Sequence, residues 1–176
     1  MALNIVVCVK SIPSTVNVGV DASGQPKIAG VPTAINPFDE FAVEAAVRLK
    51  ESAPGSTVTA LTVGSEAAAE VLREAIASGA DAGALVTGAE FEGGDSYATS
   101  LALSAALKKL HAEKPVSLVI FGKNTSDAGA GVVGTQTAAW LDWASVSAVK
   151  KLEAVDEKSV TVLRMMEDGV DTVKLQ

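Results

Sequence analysis

Residues 116–143 read VSLVIFGKNTSDAGAGVVGTQTAAWLDW. Val116 and the run Leu118 to Phe121 form a short, nearly continuous apolar segment, which suits a strand covered on both faces in a parallel sheet. The strand opens into a loop with glycines at 122, 129, 131 and 134, and Ala138, Ala139, Trp140 and Leu141 then fall in a helical segment. Bare backbone N–H groups at such a junction can wrap a phosphate. In open α/β sheets ligands gather outside the carboxyl ends of strands, so a nucleotide site is the leading expectation. The alternative is a strand-to-helix connection in which glycine serves only tight packing.

The rest of the chain alternates in the same way. Asn4 to Lys10 reads as a hydrophobic strand, and Val16 to Ile28 as a hairpin around Asp21, Ser23 and Gly24. Asn36-Pro37 turns into a helix from Phe38 to about Glu51, with Phe41, Ala42, Ala45, Ala46 and Leu49 on one stripe and Asp39 and Glu40 in the first turn, where negative charge suits the helix dipole. Pro54-Gly55 ends that unit. Thr57 to Val63 is a strand, Ser65 an N-cap candidate, and Glu66 to Ser78 a helix stopped by Gly79. Ala84 to Thr87 is the next strand, and Asp95 to Glu113 the next helix, with Leu101, Ala105 and Leu107 among its apolar positions. After Trp143 the texture changes. Ser145 to Val155, Ser159 to Met166 and Val170 to Leu175 read as antiparallel strands, with turns at Asp156-Glu157-Lys158 and Asp168-Gly169. The expected fold is α/β: a three-layer, parallel-sheet nucleotide-binding core over residues 1–143, with antiparallel strands over 144–176 packed on the same domain.

Composition narrows the class further. With 176 residues, 48% of them hydrophobic, the chain can bury one substantial core. Only 4% are aromatic, so that core must be filled by Val, Leu, Ile and Ala, as in α/β layers. A formal net charge of −7 argues against a nucleic-acid or anionic-membrane surface, which needs clustered Lys and Arg. Cys8 is the only cysteine, so there is no internal disulfide or multi-cysteine metal site, and in NIVVCVK it packs as a buried residue. His111 is the only histidine and lies near a helix end, facing solvent or complementing the helix carbonyls, so histidine triads and His-rich metal sites are excluded. No apolar run reaches transmembrane length and MALNIVVCVK lacks signal-peptide flanks, which makes a cytoplasmic location without stable membrane insertion the default expectation. Neither a metal site nor a catalytic acid, base or nucleophile is expected.

Asn36-Pro37-Phe38-Asp39-Glu40-Phe41-Ala42-Val43-Glu44-Ala45-Ala46-Val47-Arg48-Leu49-Lys50-Glu51 resembles the hallmark stretch of electron transfer flavoprotein β subunits. Cys8-Val9-Lys10, Thr62-Val63-Gly64, Ser78-Gly79-Ala80-Asp81 and the Gly122-Lys123 loop occur in that family's order, so the resemblance spans essentially the whole chain. It implies a sheet of the adenine-nucleotide type, AMP or a second FAD at the β site, and a partner α subunit that holds most of a redox-active FAD. It also implies electron donors among the flavin dehydrogenases and a quinone reductase or other acceptor. Carried onto this chain, backbone at Cys8 and Val9 meets the adenine. The turn Asn36, Pro37, Phe38 and Asp39 and the strand end Val63-Gly64 line the nucleoside. Gly122, Lys123, Asn124, Asp127, Gly129, Gly131, Val132, Val133, Gly134 and Thr135 make the phosphate loop. Backbone amides at a helix N-terminus supply positive potential, so an acidic protein can bind an anion this way. Lys123 either adds one cation or is a solvated loop lysine. Asp127 is expected to accept hydrogen bonds within the loop or to contact a hydroxyl.

The sequence departs from the family in two places. The family loop reads Asp-Gly-Asp, two small residues, then Gln-Val-Gly-Pro, whereas here Asp127, Ala128 and Gly129 are followed by Val132, Val133, Gly134 and Thr135. Glutamine can hydrogen-bond a base or phosphate and valine cannot; extra glycine can let the backbone approach more closely. Family members also continue past the antiparallel strands into an arm that embraces the α subunit, and weaker docking on α is expected without it. Gly93-Gly94-Asp95-Ser96 resembles the phosphate loop of ATP pyrophosphatases only poorly; it follows the third strand, and Asp95 or Ser96 as N-cap explains it. The rival from another class is a stand-alone sensor similar to universal stress proteins, whose ATP loop Thr135 could imitate. A purely structural interaction domain is the third possibility.

Overall fold

The computed structural model describes residues 2–14, 18–28, 30–91, 93–156 and 158–176. In chain order its elements are β1 (Asn4–Cys8), β2 (Ser11–Pro13), β3 (Thr33–Ile35), α1 (Pro37–Ser52), β4 (Thr57–Val63), α2 (Ala69–Ala77), β5 (Ala82–Val86), α3 (Ser96–Glu113), β6 (Leu118–Phe121), α4 (Val133–Leu141), β7 (Val149–Val155), β8 (Val160–Met165) and β9 (Val170–Leu175). Strands β5, β4, β1 and β6 form a parallel sheet in that order, β2 pairs with β3 antiparallel, and β7, β8 and β9 make a separate antiparallel sheet. The fold is α/β, as the alternating pattern predicts.

Strand alternation divides the core. Ile5, Val7, Val9, Val58 and Ala60 face Ala42, Val43, Ala46 and Val47 of α1 and Val71, Leu72 and Ala75 of α2. Val6, Cys8 and Leu61 face Leu103 and Leu107 of α3, with Val133 and Leu141 of α4 at the margin. Helices therefore cover both sheet faces, as parallel strands joined by crossovers require. Among the described residues, no helix is long and apolar enough to cross a membrane.

Several expectations are corrected. The first strand ends at Cys8, not Lys10, because Lys10 turns away to meet α1. In α1 the buried face is Asp39, Ala42, Val43, Ala46 and Val47, so Ala42 and Ala46 of the expected stripe are buried and Ala45 and Leu49 half-buried, while Phe41 is 75% exposed. Leu101 and Ala105 likewise lie on the exposed side of α3, while Leu103 and Leu107 are buried. Leu118 to Phe121 are only half-buried, because β6 is an edge strand. The second helix opens with a 3₁₀ turn over Glu66–Ala68, and Ser65 makes no side-chain cap. His111 is exposed, the first of the two expected alternatives, and its Nδ1 accepts the Val116 N–H at 3.1 Å. The seventh strand starts at Val149, after Ala148 adopts φ +55°, rather than at Ser145. Of the Val16 to Ile28 hairpin, residues 16 and 17 lie outside the described residues; the Asp21–Gly24 turn and a Val20–Pro26 bridge are present.

Candidate functional site

The carboxyl ends of β1 and β6 meet the start of α1, with the end of β4 beside β1. Beyond β1 the Val9 N–H donates to Leu61 O at 2.9 Å, and then the Lys10 N–H donates to Asp39 Oδ2 at 2.8 Å while Lys10 O accepts the Asn36 N–H at 3.0 Å. The exit of the first strand is thus bonded to the first turn of α1. Asn36 itself is fully buried. Its Nδ2 donates to Asn124 O at 2.8 Å and its Oδ1 accepts the Ser126 N–H at 3.2 Å, so its side chain satisfies both a carbonyl and an amide of the loop after β6. Lys10 holds the same loop from another side, with Nζ donating to both carboxylate oxygens of Asp127 at 2.8 and 2.7 Å. Within the loop the Gly129 N–H donates to Thr125 O at 3.0 Å.

The four glycines have different tasks. A Cβ on Gly122 would fall onto Asp39 Oδ1 and come within 2.9 Å of the Phe38 carbonyl carbon and oxygen. This glycine lets the end of β6 pass against the start of α1. Gly134 is inside α4, not before it, and a Cβ there would meet the Phe121 ring at 3.1–3.2 Å. Gly129 and Gly131 are loop glycines with φ +72° and +62°, a conformation L-residues adopt at a cost. Packing therefore explains two of the four, and backbone conformation the other two.

α4 begins without a cap. Val132 occupies its N-cap position, no side chain accepts from its first turn, and the Thr135 hydroxyl turns back to donate to Val132 O at 2.9 Å. By contrast, Asp95 caps α3 by accepting the Ala98 N–H at 2.9 Å. Helix N-termini present amides that need acceptors, and their dipole favours an anion. The uncapped turn borders a cleft of about 1260 Å³ that runs from the sheet's carboxyl edge along β6 to the antiparallel sheet.

Charge around the loop is nearly cancelled. Burial pushes the Asp39 carboxyl up to about 6, against the pull of the Lys10 N–H, the Asn36 amide, the Gly122 N–H and the Lys10 charge. At Asp127 burial acts upward, but the hydrogen bonds from Lys10 and Thr125 and the Lys10 charge outweigh it and hold the carboxyl below the ordinary value. Burial, with the Asp39 charge second, pushes the Cys8 thiol far up, which suits a packing residue. Lys123 is exposed.

Of the residues singled out from sequence, Cys8, Val9, Asp39, Val63, Gly122, Lys123, Asn124, Gly131, Val132, Val133, Gly134 and Thr135 line the one cleft. Asn36, Pro37, Phe38, Gly64, Asp127 and Gly129 do not. Pro37 and Phe38 face outward, the Gly64 N–H is used by Val86 O, and Asn36 and Asp127 act on the loop from behind. Sequence reading missed Lys10 as a loop anchor and Ser126 as a bonded partner of Asn36. A lone lysine after an apolar strand carries no signal of the carboxylate it will meet.

The family model described as "Electron transfer flavoprotein domain" matches residues 28–176. Subunit CarD of the caffeyl-CoA reductase-Etf complex of Acetobacterium woodii is 38% identical over 175 residues, covering 99% of this chain and 65% of that protein. Protein FixA of Azotobacter vinelandii is 38% identical over 172 residues, 96% of this chain and 61% of its own length. Electron transfer flavoprotein subunit beta of Thermoanaerobacterium thermosaccharolyticum is 38% identical over 175 residues, 99% and 65% respectively. The chain therefore spans a little under two thirds of the length of these curated relatives.

Proposed function

The chain belongs to the electron transfer flavoprotein family, among its β subunits and their FixA and CarD relatives, and from that premise we propose that it binds AMP, or FAD at the same position, and pairs with an FAD-carrying α subunit. The main support is the uncapped first turn of α4 at the cleft, beside a loop whose Gly129 and Gly131 keep the backbone bare. Those amides match a phosphate. The apolar strand ends at Cys8, Val9 and Val63 line the same cleft and would border the adenine. These residues fit a nucleotide, and a few precisely placed polar groups on a mostly apolar cleft are what such sites use.

In this proposal no side chain acts as an acid, base or nucleophile. A bound flavin supplies the electron chemistry, while the chain binds, orients and shields it. The 1–143 core carries the nucleotide and residues 144–176 pack on it; electrons arrive from flavin dehydrogenases and leave to a quinone reductase or other acceptor; the setting is cytoplasmic. Co-purification from the native host tests the pairing, with an absorbance spectrum and release of small molecules by denaturation. A yellow complex with a larger chain, releasing FAD and AMP, is expected. A self-associated dimer that releases ATP and no flavin would instead fit a stand-alone sensor. No detectable binding of AMP, ADP, ATP or FAD by calorimetry would defeat both.

A further inference from the structure

We propose that Lys10 is a positioning residue for the phosphate loop, acting through Asp127 and not through the ligand; this rests on the nucleotide reading above. Lys10 ties the start of α1 to the loop after β6. Its N–H reaches Asp39 at the start of α1, its carbonyl accepts from Asn36, and its Nζ takes both oxygens of Asp127 in the loop. Asn36 bonds the same loop three residues and one residue earlier, at Asn124 and Ser126. Asn124 to Asp127 is thus held at three points by residues that belong to the sheet's carboxyl edge.

Direct service to a phosphate is a poor use of this lysine. Both carboxylate oxygens of Asp127 already face Nζ, and a phosphate on the same ammonium would lie beside that carboxylate, where like charges repel. The side chains of the pair are 41% and 30% exposed, and such pairs add little to global stability. The effect is therefore local: the pair fixes where the loop carries Gly129, Gly131 and the first amides of α4, so its loss is paid as ordering at binding.

The two roles predict opposite signs, which calorimetry with AMP on the full chain can read for Lys10→Met, Asp127→Asn and the double variant. Positioning predicts that each single variant weakens AMP about five- to tenfold, and that the double variant is no worse than either, because both remove one interaction. Lys10→Arg keeps the pair and stays near the unaltered protein. Direct contact predicts that Lys10→Met weakens AMP while Asp127→Asn leaves it unchanged or tightens it by freeing Nζ; that result, or additive losses, overturns the proposal. Hydrogen exchange without nucleotide gives an independent check. Amides 124–131 should exchange several-fold faster in both single variants while β1 and β4 stay protected, and unchanged loop exchange overturns the proposal. Unaltered protein that binds neither AMP nor FAD defeats the nucleotide reading alone, and the exchange comparison still decides whether Lys10 holds the loop.

Discussion

Gly122→Ala is the sharpest test of how the site is assembled. The glycine's φ lies outside the left-handed region, so alanine meets no backbone strain and the whole effect comes from its neighbours. Two of these are the carbonyl carbon and oxygen of Phe38 at 2.9 Å, main-chain atoms that cannot rotate away. The third, Asp39 Oδ1, belongs to a buried carboxylate whose other oxygen holds the Lys10 N–H. Overpacking costs about 1–3 kcal/mol, and disturbing a hydrogen bond to a charged group about 1.5–3 kcal/mol, so a loss of about 3–5 kcal/mol is expected. At about 2–4 °C per kcal/mol for a chain of this size, Tm falls by about 10 °C.

Gly134→Ala is the matched control. Its Cβ would press on the Phe121 ring, which can yield by tenths of an ångström, and alanine is about 1 kcal/mol better than glycine within a helix. The two contributions oppose, so stability should change by less than about 1 kcal/mol on the scale of ordinary surface substitutions. Urea unfolding of both variants, with unchanged m, reads the difference. If Gly122→Ala proves as stable as the parent, or Gly134→Ala as damaged as Gly122→Ala, the packing argument is wrong. Retained stability with lost AMP binding in Gly122→Ala would mean that this glycine serves the ligand instead.

Two further outcomes follow from the same geometry. Asn36→Ala strips Asn124 O and Ser126 N–H of their partner and should cost about 2–6 kcal/mol in urea unfolding, at about 1–3 kcal/mol for each unsatisfied group; a loss under about 0.5 kcal/mol would show that water or the loop replaces the amide readily. Asp39 holds its proton more tightly folded than unfolded, about 6 against 3.8, so its contribution is full below about pH 4 and is lost as pH rises through 6. At 1.36 kcal/mol per unit this is about 3 kcal/mol over the window. The unfolding free energies of parent and Asp39→Asn, from urea titrations at pH 4 to 7, should diverge by that amount, and parallel curves would reject the assignment.

Much of the fold was legible because hydrophobic periodicity reports strands and helices directly. Thr57–Val63 and the cap of α3 at Asp95 come out where the pattern places them. What failed was the phase of the helical faces. Alanine-rich stretches such as Phe41 to Val47 offer apolar residues all round, so the largest side chain, Phe41, attracts the stripe towards itself although it is exposed. The edge position of β6 was invisible for a similar reason. An apolar run shows that a strand is buried somewhere, while strand order depends on pairings remote in sequence.

The site shows the same divide between what local pattern carries and what only contact reveals. Glycine spacing located the loop, yet two of its glycines answer to packing partners, Asp39 and Phe38 in one case and Phe121 in the other, that spacing cannot name. The charges matter more. A reader of sequence sees Lys10, Lys123, Asp39 and Asp127 near an anion site and cannot assign a sign to their sum. In the fold Lys10 and Asp127 neutralise each other, Asp39 is buried beneath Gly122, and Lys123 lies exposed on the loop. Under the proposed function, a phosphate bound there would be held mainly by main-chain amides, which every sequence possesses and none displays. Val132 fits that logic: at the N-cap it supplies no side-chain acceptor, so the first amides of α4 stay available to a ligand where serine or aspartate would have consumed one.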